Sequence, residues 1–224
     1  QRAKFAHAEF DNCPFNDASL EEADCRFVQL KNCNFTGANL RNTLFFKQIL
    51  TQVAFDGADL GGADFRESDL SKSTFRYAKL IGTNFRKAVL KECDFSKAQA
   101  LETDFGAGQL SLSNFAGANL SHADLRFAIL IGANFKGANL MYANLACADL
   151  RQAQIISANF WGTSTRKAQI DGGAKLAVMP FVLLGKLVFP FQKKFKQHRL
   201  KSEKLKKQRA QELIETVQPK VGRR

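Results

Sequence analysis

The 224-residue sequence predicts an all-β solenoid whose backbone turns a corner every five residues. Three observations predict it: a large apolar residue recurs at every fifth position, a small residue recurs two positions earlier, and the phase never slips over about 160 residues. From Phe5 to Phe160 there are 32 such large positions, of which 14 are Phe and 15 are Leu. A period of five fits neither the 3.6-residue α-helix nor the two-residue strand, so the chain is an internal repeat.

The alternation of Phe and Leu at the large positions indicates four sides, and therefore 20 residues, in each coil. Residues 20 apart then stack along one face, as Phe45 with Phe65, and Phe55 with Phe75 on the opposite face. Leucines stack in the same way along the other two faces. Each coil adds one strand spacing, about 4.8 Å, and residues 1–170 predict about eight coils.

The repeat units also carry a known signature. Units such as Ala38-Asn39-Leu40 and Ala148-Asp149-Leu150 resemble the A(D/N)LXX repeat of pentapeptide-repeat proteins. The resemblance covers residues 1 to about 170 and implies the fold of that family, a right-handed quadrilateral β-helix. The chain begins at Gln1, part-way into a unit, as expected of a processed product or a fragment.

Some positions break the pattern. Gln48 stands where a small residue is expected, and because an inward amide needs a hydrogen-bond partner, we expect a local bulge or an outward turn there. Cys13, Cys33 and Cys93 occupy small inward positions and Cys25 a large one, so we interpret them as small hydrophobic residues. A Cys13–Cys33 disulfide is the alternative, since these residues lie one coil apart. Unpaired cysteines favour a reducing compartment.

The sequence contains no constellation that indicates catalysis, a metal site or a cofactor. The three histidines, His7, His122 and His198, lie far apart, and no CxxC or Cys/His spacing occurs. We expect His7 and His122 to be exposed, solvated imidazoles. The scattered Asp and Asn residues belong to the repeat signature. The protein is therefore predicted not to be an enzyme.

One outward column of the coils is rich in basic residues. It indicates a stripe that binds an acidic partner or phosphates. The alternative is that the adjacent column of Asp residues neutralises these basic residues, which leaves exposed ion pairs that contribute little to stability. The candidate stripe consists of Arg26, Arg66, Arg86, Lys87, Arg126, Arg166 and Lys167.

A second outward column is apolar, and stacked apolar residues on a surface usually have a partner. The alternatives are a protein partner, a second copy of the chain, or the chain's own C-terminal segment. Val89, Leu112, Ile129 and Ile131 also point outward elsewhere. The candidate partner patch consists of Ile81, Leu101, Met141, Tyr142 and Trp161.

Most of the positive charge lies in the C-terminal tail. Residues 1–170 carry 19 basic and 17 acidic residues, whereas residues 171–224 carry 14 and 4. Residues 171–191 form an apolar segment broken by Pro and Gly, and residues 192–224 predict a basic α-helical tail. The candidate residues for binding an anionic surface are Lys193, Lys194, Lys196, Arg199, Lys201, Lys204, Lys206, Lys207 and Arg209.

Three interpretations of the tail remain open. The apolar segment could cap the end of the β-helix, with the basic helix a solvated appendage. It could instead enter a bilayer interface while the basic helix binds anionic headgroups, the two-signal logic of peripheral anchoring. The helix could also bind RNA, DNA or an acidic protein, although the tail lacks a nucleic-acid recognition module.

These observations predict a non-enzymatic scaffold that binds a protein partner and is attached by its basic tail to an anionic surface, a membrane or a large assembly. A homodimer through an apolar face or the tail is compatible with the sequence. The resemblance implies an alternative, because several family members protect DNA gyrase by resembling duplex DNA, and a nucleic-acid-associated assembly factor is another. A DNA mimic should be acidic, however. We expect a cytoplasmic or organellar-stromal protein, peripheral on a membrane.

Overall fold

A computed structural model describes residues 8–26 and 28–171, which lie in one compact unit. The chain forms a stack of four-sided coils in which each residue at the centre of a side pairs in parallel with the residue 20 positions later, as Asn34 with Ala54. Strand β1 (Glu9–Asp11) pairs in this register with strand β2 (Gln29–Lys31). The predicted four-sided β-helix is confirmed for these residues.

Two local interactions recur at the corners. The amide of Ala18 donates to the carbonyl of Phe15, and the third residue of the turn, Asp17, has φ of 54°. A positive φ at this position is typical of a type II turn. The Asn or Asp at the centre of a side also fixes the corner that follows, since Asn39 Oδ1 accepts the amide of Arg41 at 3.2 Å. The A(D/N)L signature therefore encodes a corner.

The large residues fill the shaft as predicted. Phe75 stacks on Phe55 and on Phe95, with ring centroids 5.0 and 4.7 Å apart. It also meets Phe85 of the opposite column edge to face at 5.6 Å. Offset-stacked and edge-to-face contacts are the favoured arrangements of aromatic rings. Because all four rings are fully buried, each coil is held mainly by its neighbours.

The predicted bulge at Gln48 is wrong. The ladder continues unchanged, since Ile49 pairs with Asp69 in the same 20-residue register. Gln48 is buried, its backbone amide donates to Ser68 Oγ at 3.0 Å, and its side-chain amide donates to the carbonyl of Phe46 at 3.4 Å. These bonds satisfy the polar groups without a change of register, and the neighbouring Ile49 is 73% exposed.

The cysteines are all free in the structure, so the alternative of a Cys13–Cys33 disulfide is not formed. Cys25, Cys33 and Cys93 are buried, as expected of small core residues. An apolar cavity of about 10 Å³ lies beside Cys25, which is smaller than the Phe and Leu residues at other large positions.

Four faces and the corners between them position the surface residues. We name the faces in chain order by one inward residue each: the Phe45, Leu50, Phe55 and Leu60 faces. The segments predicted as an apolar cap or interface segment and as a basic helical tail, residues 172–191 and 192–224, lie outside the described residues, as does His7.

Candidate protein-interaction surface

The predicted basic stripe lies along the corner between the Phe45 and Leu50 faces, which we call the arginine corner. Three of its arginines are paired with the carboxylate two residues earlier. Nη2 of Arg66 lies 2.7 Å from Asp64 Oδ2, and Nη2 of Arg126 lies 2.6 Å from Asp124 Oδ2. Arg26 pairs in the same way with Asp24 at 2.6 Å, and these hydrogen bonds raise the pKa of Arg26.

The same carboxylates also build the corner, because Asp64 Oδ1 accepts the backbone amide of Arg66 at 3.1 Å. Each pair is therefore close to neutral and fixed in place. Arg86, Lys87 and the pair Arg166 and Lys167 form no salt bridge with the part of the chain that the structure describes. The positive charge of the stripe thus comes mainly from these four residues.

An aromatic ring interrupts the arginine corner. Phe46 occupies an arginine position of the column, and Lys47 Nζ lies 5.1 Å from its ring centroid. The guanidinium carbon of Arg66, one coil away, lies 5.4 Å from the same centroid. Cation–π contacts of this kind stabilise exposed sites by about 0.5–1 kcal/mol. The corner is ordered here by packing as well as by ion pairs.

The predicted apolar patch lies along the corner between the Leu60 and Phe45 faces, which we call the apolar corner. Ile81 is 47% exposed and Tyr142 is 36% exposed, while Leu101, Met141 and Trp161 are half-buried. The column is interrupted between Leu101 and Met141 by a buried serine. The structure therefore divides the predicted patch into an aliphatic part, with Ile81 and Leu101, and an aromatic part, with Tyr142 and Trp161 beside Met141.

Contacts hold the aromatic part in one arrangement. The indole Nε1 of Trp161 donates to the hydroxyl of Tyr142 at 3.2 Å. The Tyr142 ring lies directly over Gly162, where a Cβ would collide with it. The absence of a side chain at Gly162 therefore makes room for the ring. The glycine is visible in the sequence, but the five-residue period does not indicate that Tyr142 packs on it.

An asparagine ladder on the Leu60 face supports the same corner. The amide of Asn139 donates to Asn119 Oδ1 at 3.1 Å, and the amide of Asn159 donates to Asn139 Oδ1 at 3.3 Å. Asn139 and Asn159 also accept the backbone amides of Met141 and Trp161, at 3.2 and 3.0 Å. The exposed side chains at this corner thus rest on a backbone with little freedom.

The expectation of an exposed imidazole at His122 is wrong. His122 is half-buried, and its ring stacks on that of Tyr142 with centroids 5.2 Å apart and planes 23° apart. Desolvation lowers the pKa of His122, against the opposing charge of Glu102. The imidazole therefore extends the aromatic part of the apolar corner by one coil.

The Phe45 face joins the two corners. Within one coil, Ile81 lies at the apolar corner and Arg86 at the arginine corner, five residues later along the chain. Between the two corners the face presents one outward residue per coil, among them Asn84 and Asp104. The two candidate stripes are therefore parallel edges of a single face.

The second set of outward apolar residues lies on and beside the Leu50 face. Leu112 is 64% exposed and Ile129 is 42% exposed; Val89 is also exposed, whereas Ile131 is half-buried. Phe127, which the sequence analysis did not single out, is 61% exposed beside them.

Other kinds of site find no support in the described residues. Within residues 8–26 and 28–171, no group of three or more His, Cys, Asp or Glu residues is placed to hold a metal ion. The same residues contain no helix long and apolar enough to cross a membrane. The nine basic residues proposed for an anionic surface, from Lys193 to Arg209, lie outside the described part of the chain.

The coil geometry and the shallow surfaces define the chain as a solenoid repeat protein that presents flat faces. Two family models match it: pentapeptide repeat region over residues 8–79, and pentapeptide repeats over residues 68–106, 109–145 and 137–164. The chain belongs to the pentapeptide repeat family, whose members form right-handed quadrilateral β-helices and are generally structural or interaction proteins rather than enzymes.

Similar solved structures are also pentapeptide repeat proteins. QnrB1, a plasmid-mediated fluoroquinolone resistance protein, is 20% identical, with 80% of this chain and 94% of that chain covered and a TM-score of 0.34. A thylakoid-lumen protein of Arabidopsis thaliana is 21% identical, with coverage of 61% and 78% and a TM-score of 0.39. HetL of the cyanobacterium Nostoc, involved in heterocyst differentiation regulation, is 24% identical, with coverage of 73% and 89% and a TM-score of 0.23. No curated protein matches the chain.

Proposed function

We propose that this protein is a non-enzymatic scaffold whose Phe45 face binds a protein partner. The observation that carries the proposal is the ordered aromatic part of the apolar corner, in which Trp161, Tyr142 and His122 contact one another on a rigid backbone. Trp and Tyr are the residues that most often dominate binding energy at protein interfaces. Because these rings are already held in place, a partner would order few side chains on binding.

The arginine corner supplies the second element of the proposed interface. Its basic residues lie at the other edge of the same face, where charge would orient a partner and speed its association. Asp–Arg pairs such as Asp124 with Arg126 place hydrogen-bonding groups at the rim of the Phe45 face but carry little net charge. An acidic patch on the partner that faces Arg86 fits this arrangement.

The proposed partner is not a topoisomerase that would bind this chain as a mimic of DNA. Residues 8–171 carry 17 Lys and Arg against 18 Asp and Glu, so this part of the chain lacks the strong negative charge of duplex DNA. A supercoiling assay with DNA gyrase and a fluoroquinolone tests the alternative. Protection of the enzyme would contradict our assignment.

Affinity capture from the native cell tests the binding face. We expect Trp161→Ala and Tyr142→Ala to remove the captured partner, while Arg86→Glu weakens capture in a salt-dependent way. Tyr77→Ala is the matched control, because Tyr77 is 59% exposed at the corner between the Phe55 and Leu60 faces. A partner retained by both apolar-corner variants and lost with Tyr77→Ala would overturn the proposed face.

We further propose that the tail attaches the scaffold to an anionic membrane or assembly. Nine Lys and Arg residues fall within residues 193–209, next to an apolar segment, and each basic residue near an anionic bilayer is worth about 1 kcal/mol. Sedimentation with phosphatidylserine vesicles should therefore require the tail and decline with added salt. The control is a chain ending at Asp171. Equal sedimentation of both chains, or none by the full chain at low salt, would reject the attachment.

A further inference from the structure

The Leu50 face carries an apolar surface that the proposed partner site does not use. Leu112, Phe127 and Ile129 are 64%, 61% and 42% exposed, and they occupy adjacent coils. The Leu112 side chain extends over Gly132, where a Cβ would lie 2.8 Å from Leu112 Cδ2. Ile131 continues the surface along the same coil as Phe127. Contiguous exposed apolar side chains indicate an interface.

The centre of this face repeats an apolar residue at every second coil. Ile49, Val89 and Ile129 are separated by 40 residues each, with Asp69 and Gln109 between them. Ile49 is 73% exposed, so the apolar character of the centre reaches four coils beyond Ile129. A partner with apolar residues two coils apart would contact all three positions. A second copy of this face has that spacing, because it carries the same three residues.

The charges beside the face favour one orientation of such a copy, in which they would add to the pairs that Glu67 forms with Lys47 at 3.6 Å and Lys72 with Glu92 at 4.0 Å within the chain. Glu67 and Lys72 flank the face in one coil, and Lys87 and Glu92 flank it in the next, with the signs reversed. A two-fold axis parallel to the stack places each flank opposite the other flank of the same coil. Glu67 then faces Lys72 of the second copy, while Lys87 faces Glu92 of the second copy.

The same axis also matches the apolar residues. Ile129 meets its own copy on the axis, and Phe127 lies opposite the corner of Ile131 and Gly132 of the second copy, over which the Leu112 side chain extends. An antiparallel pairing that keeps the charges complementary, with Glu67 opposite Lys87 of the second copy, would instead place Ile129 opposite Gln29 and Leu112 opposite Gln52. Of the two arrangements, only the parallel one matches the flanking charges and the apolar surface together.

We infer that the protein forms a parallel homodimer through the Leu50 face. The two chains then leave the described coils at the same end, at Asp171, and both Phe45 faces stay open to a partner. This inference does not depend on the proposed function, because the dimer is centred on the Leu50 face and the partner site on the Phe45 face. The two share only the arginine corner, where Lys87 and Phe127 belong to the dimer.

Sedimentation equilibrium of the full chain tests the dimer. The chain has a mass of 24.9 kDa, and we expect a species of twice that mass. Phe127→Glu and Ile129→Lys should each raise the dissociation constant by at least about tenfold, as expected when a central apolar residue of an interface is replaced. The matched control is Ile156→Lys, because Ile156 is 70% exposed at a corner remote from the Leu50 face. Trp161→Ala should leave the dimer unchanged.

One substitution is expected to strengthen the dimer, and unfolding of the variant could not produce that result. Asp69 meets its own copy on the two-fold axis, so Asp69→Asn should lower the dissociation constant by removing the repulsion between two carboxylates. Asp69→Asn would leave the dissociation constant unchanged if the tail held the dimer together.

Disulfide trapping tests the orientation. Gln109→Cys, in a chain that also carries Cys147→Ala, should link to its own copy on mild oxidation, because residue 109 lies on the axis. Lys79→Cys, at the half-buried centre of the opposite Leu60 face as Gln109 is of the Leu50 face, is the control and should not link. A monomer at all concentrations, a dimer indifferent to Phe127→Glu and Ile129→Lys, or trapping only through Lys79→Cys would each overturn the inference.

Discussion

The hydroxyl of Ser68 donates a hydrogen bond to the carbonyl oxygen of Phe45, 2.6 Å away in the preceding coil. The same hydroxyl oxygen accepts the backbone amide of Gln48 at 3.0 Å. Ser or Thr at the small inward position repeats this contact with the large residue 23 positions earlier, as Thr83 does with Leu60 at 2.8 Å. The small position is therefore a hydrogen-bonding site between coils as well as a space for the large residues.

We expect Ser68→Ala to lower the free energy of unfolding by about 1 kcal/mol, because it removes a buried hydrogen bond between coils. The Phe45 carbonyl keeps its turn bond from Gln48, which limits the loss. Urea denaturation measures the change. Ser111→Ala, at a half-buried corner position, is the control and should change stability by less than about 0.5 kcal/mol. Equal effects of the two substitutions would contradict the inter-coil role.

Gly162→Ala should disturb the apolar corner more than it disturbs the fold. Gly162 and Gly57 both have positive φ, of 68° and 66°, so Ala at either position costs about 1–2 kcal/mol of backbone energy. A Cβ at position 162 also displaces the Tyr142 ring, whereas a Cβ at position 57 meets nothing within 4 Å. Trp161 is the only tryptophan in the chain, so its fluorescence reports the displacement. We expect the emission to change with Gly162→Ala and to stay the same with Gly57→Ala.

The ion pair between Asp56 and Arg76 should make stability depend on pH. Desolvation alone would raise the pKa of Asp56, but hydrogen bonds from the side chain and backbone of Arg76 outweigh it and lower the pKa below its usual 3.8. A lowered carboxylate pKa stabilises the fold at pH values above the unfolded pKa, and this contribution is lost as the pH falls through the folded pKa.

The substitution Arg76→Gln tests this dependence. Its destabilisation, measured by urea denaturation, should be largest at neutral pH and should disappear in acid, once Asp56 is protonated in both chains. Lys136→Gln, at another exposed position on the same corner column, should show no such dependence. A destabilisation by Arg76→Gln that is independent of pH would contradict the pairing.

The cysteines should divide into two groups by reactivity. Burial raises the pKa of Cys25 and Cys93 to about 12, so these thiols stay protonated at neutral pH, and only the thiolate is nucleophilic. Cys13 and Cys147 are half-buried. Mass spectrometry after treatment with a maleimide should find label on Cys13 and Cys147 in the native protein, and on all five cysteines in guanidinium. Native labelling of Cys93 as fast as that of Cys147 would contradict the packing of the core.

The five-residue period was sufficient to predict the coil, the inward residues and the stacking of Phe55 on Phe75. Each of these depends on contacts between residues 20 apart, and a strict repeat makes those contacts the same in every coil. The same reasoning failed at Gln48, because a single exception to the pattern was taken as a break in the backbone. The ladder of neighbouring coils constrains the backbone more strongly than one side chain does.

The sequence by itself determined the solenoid, its four faces and the column to which each outward residue belongs, because regular spacing along the chain converts directly into position on a regular backbone. The tertiary structure alone decided which outward residues act together. It neutralised Arg66 and Arg126 with neighbouring carboxylates, and it brought Tyr142 between His122 and Trp161. Those contacts depend on side-chain rotamers and on which neighbour in the next coil leaves room, and the period of the repeat does not specify either.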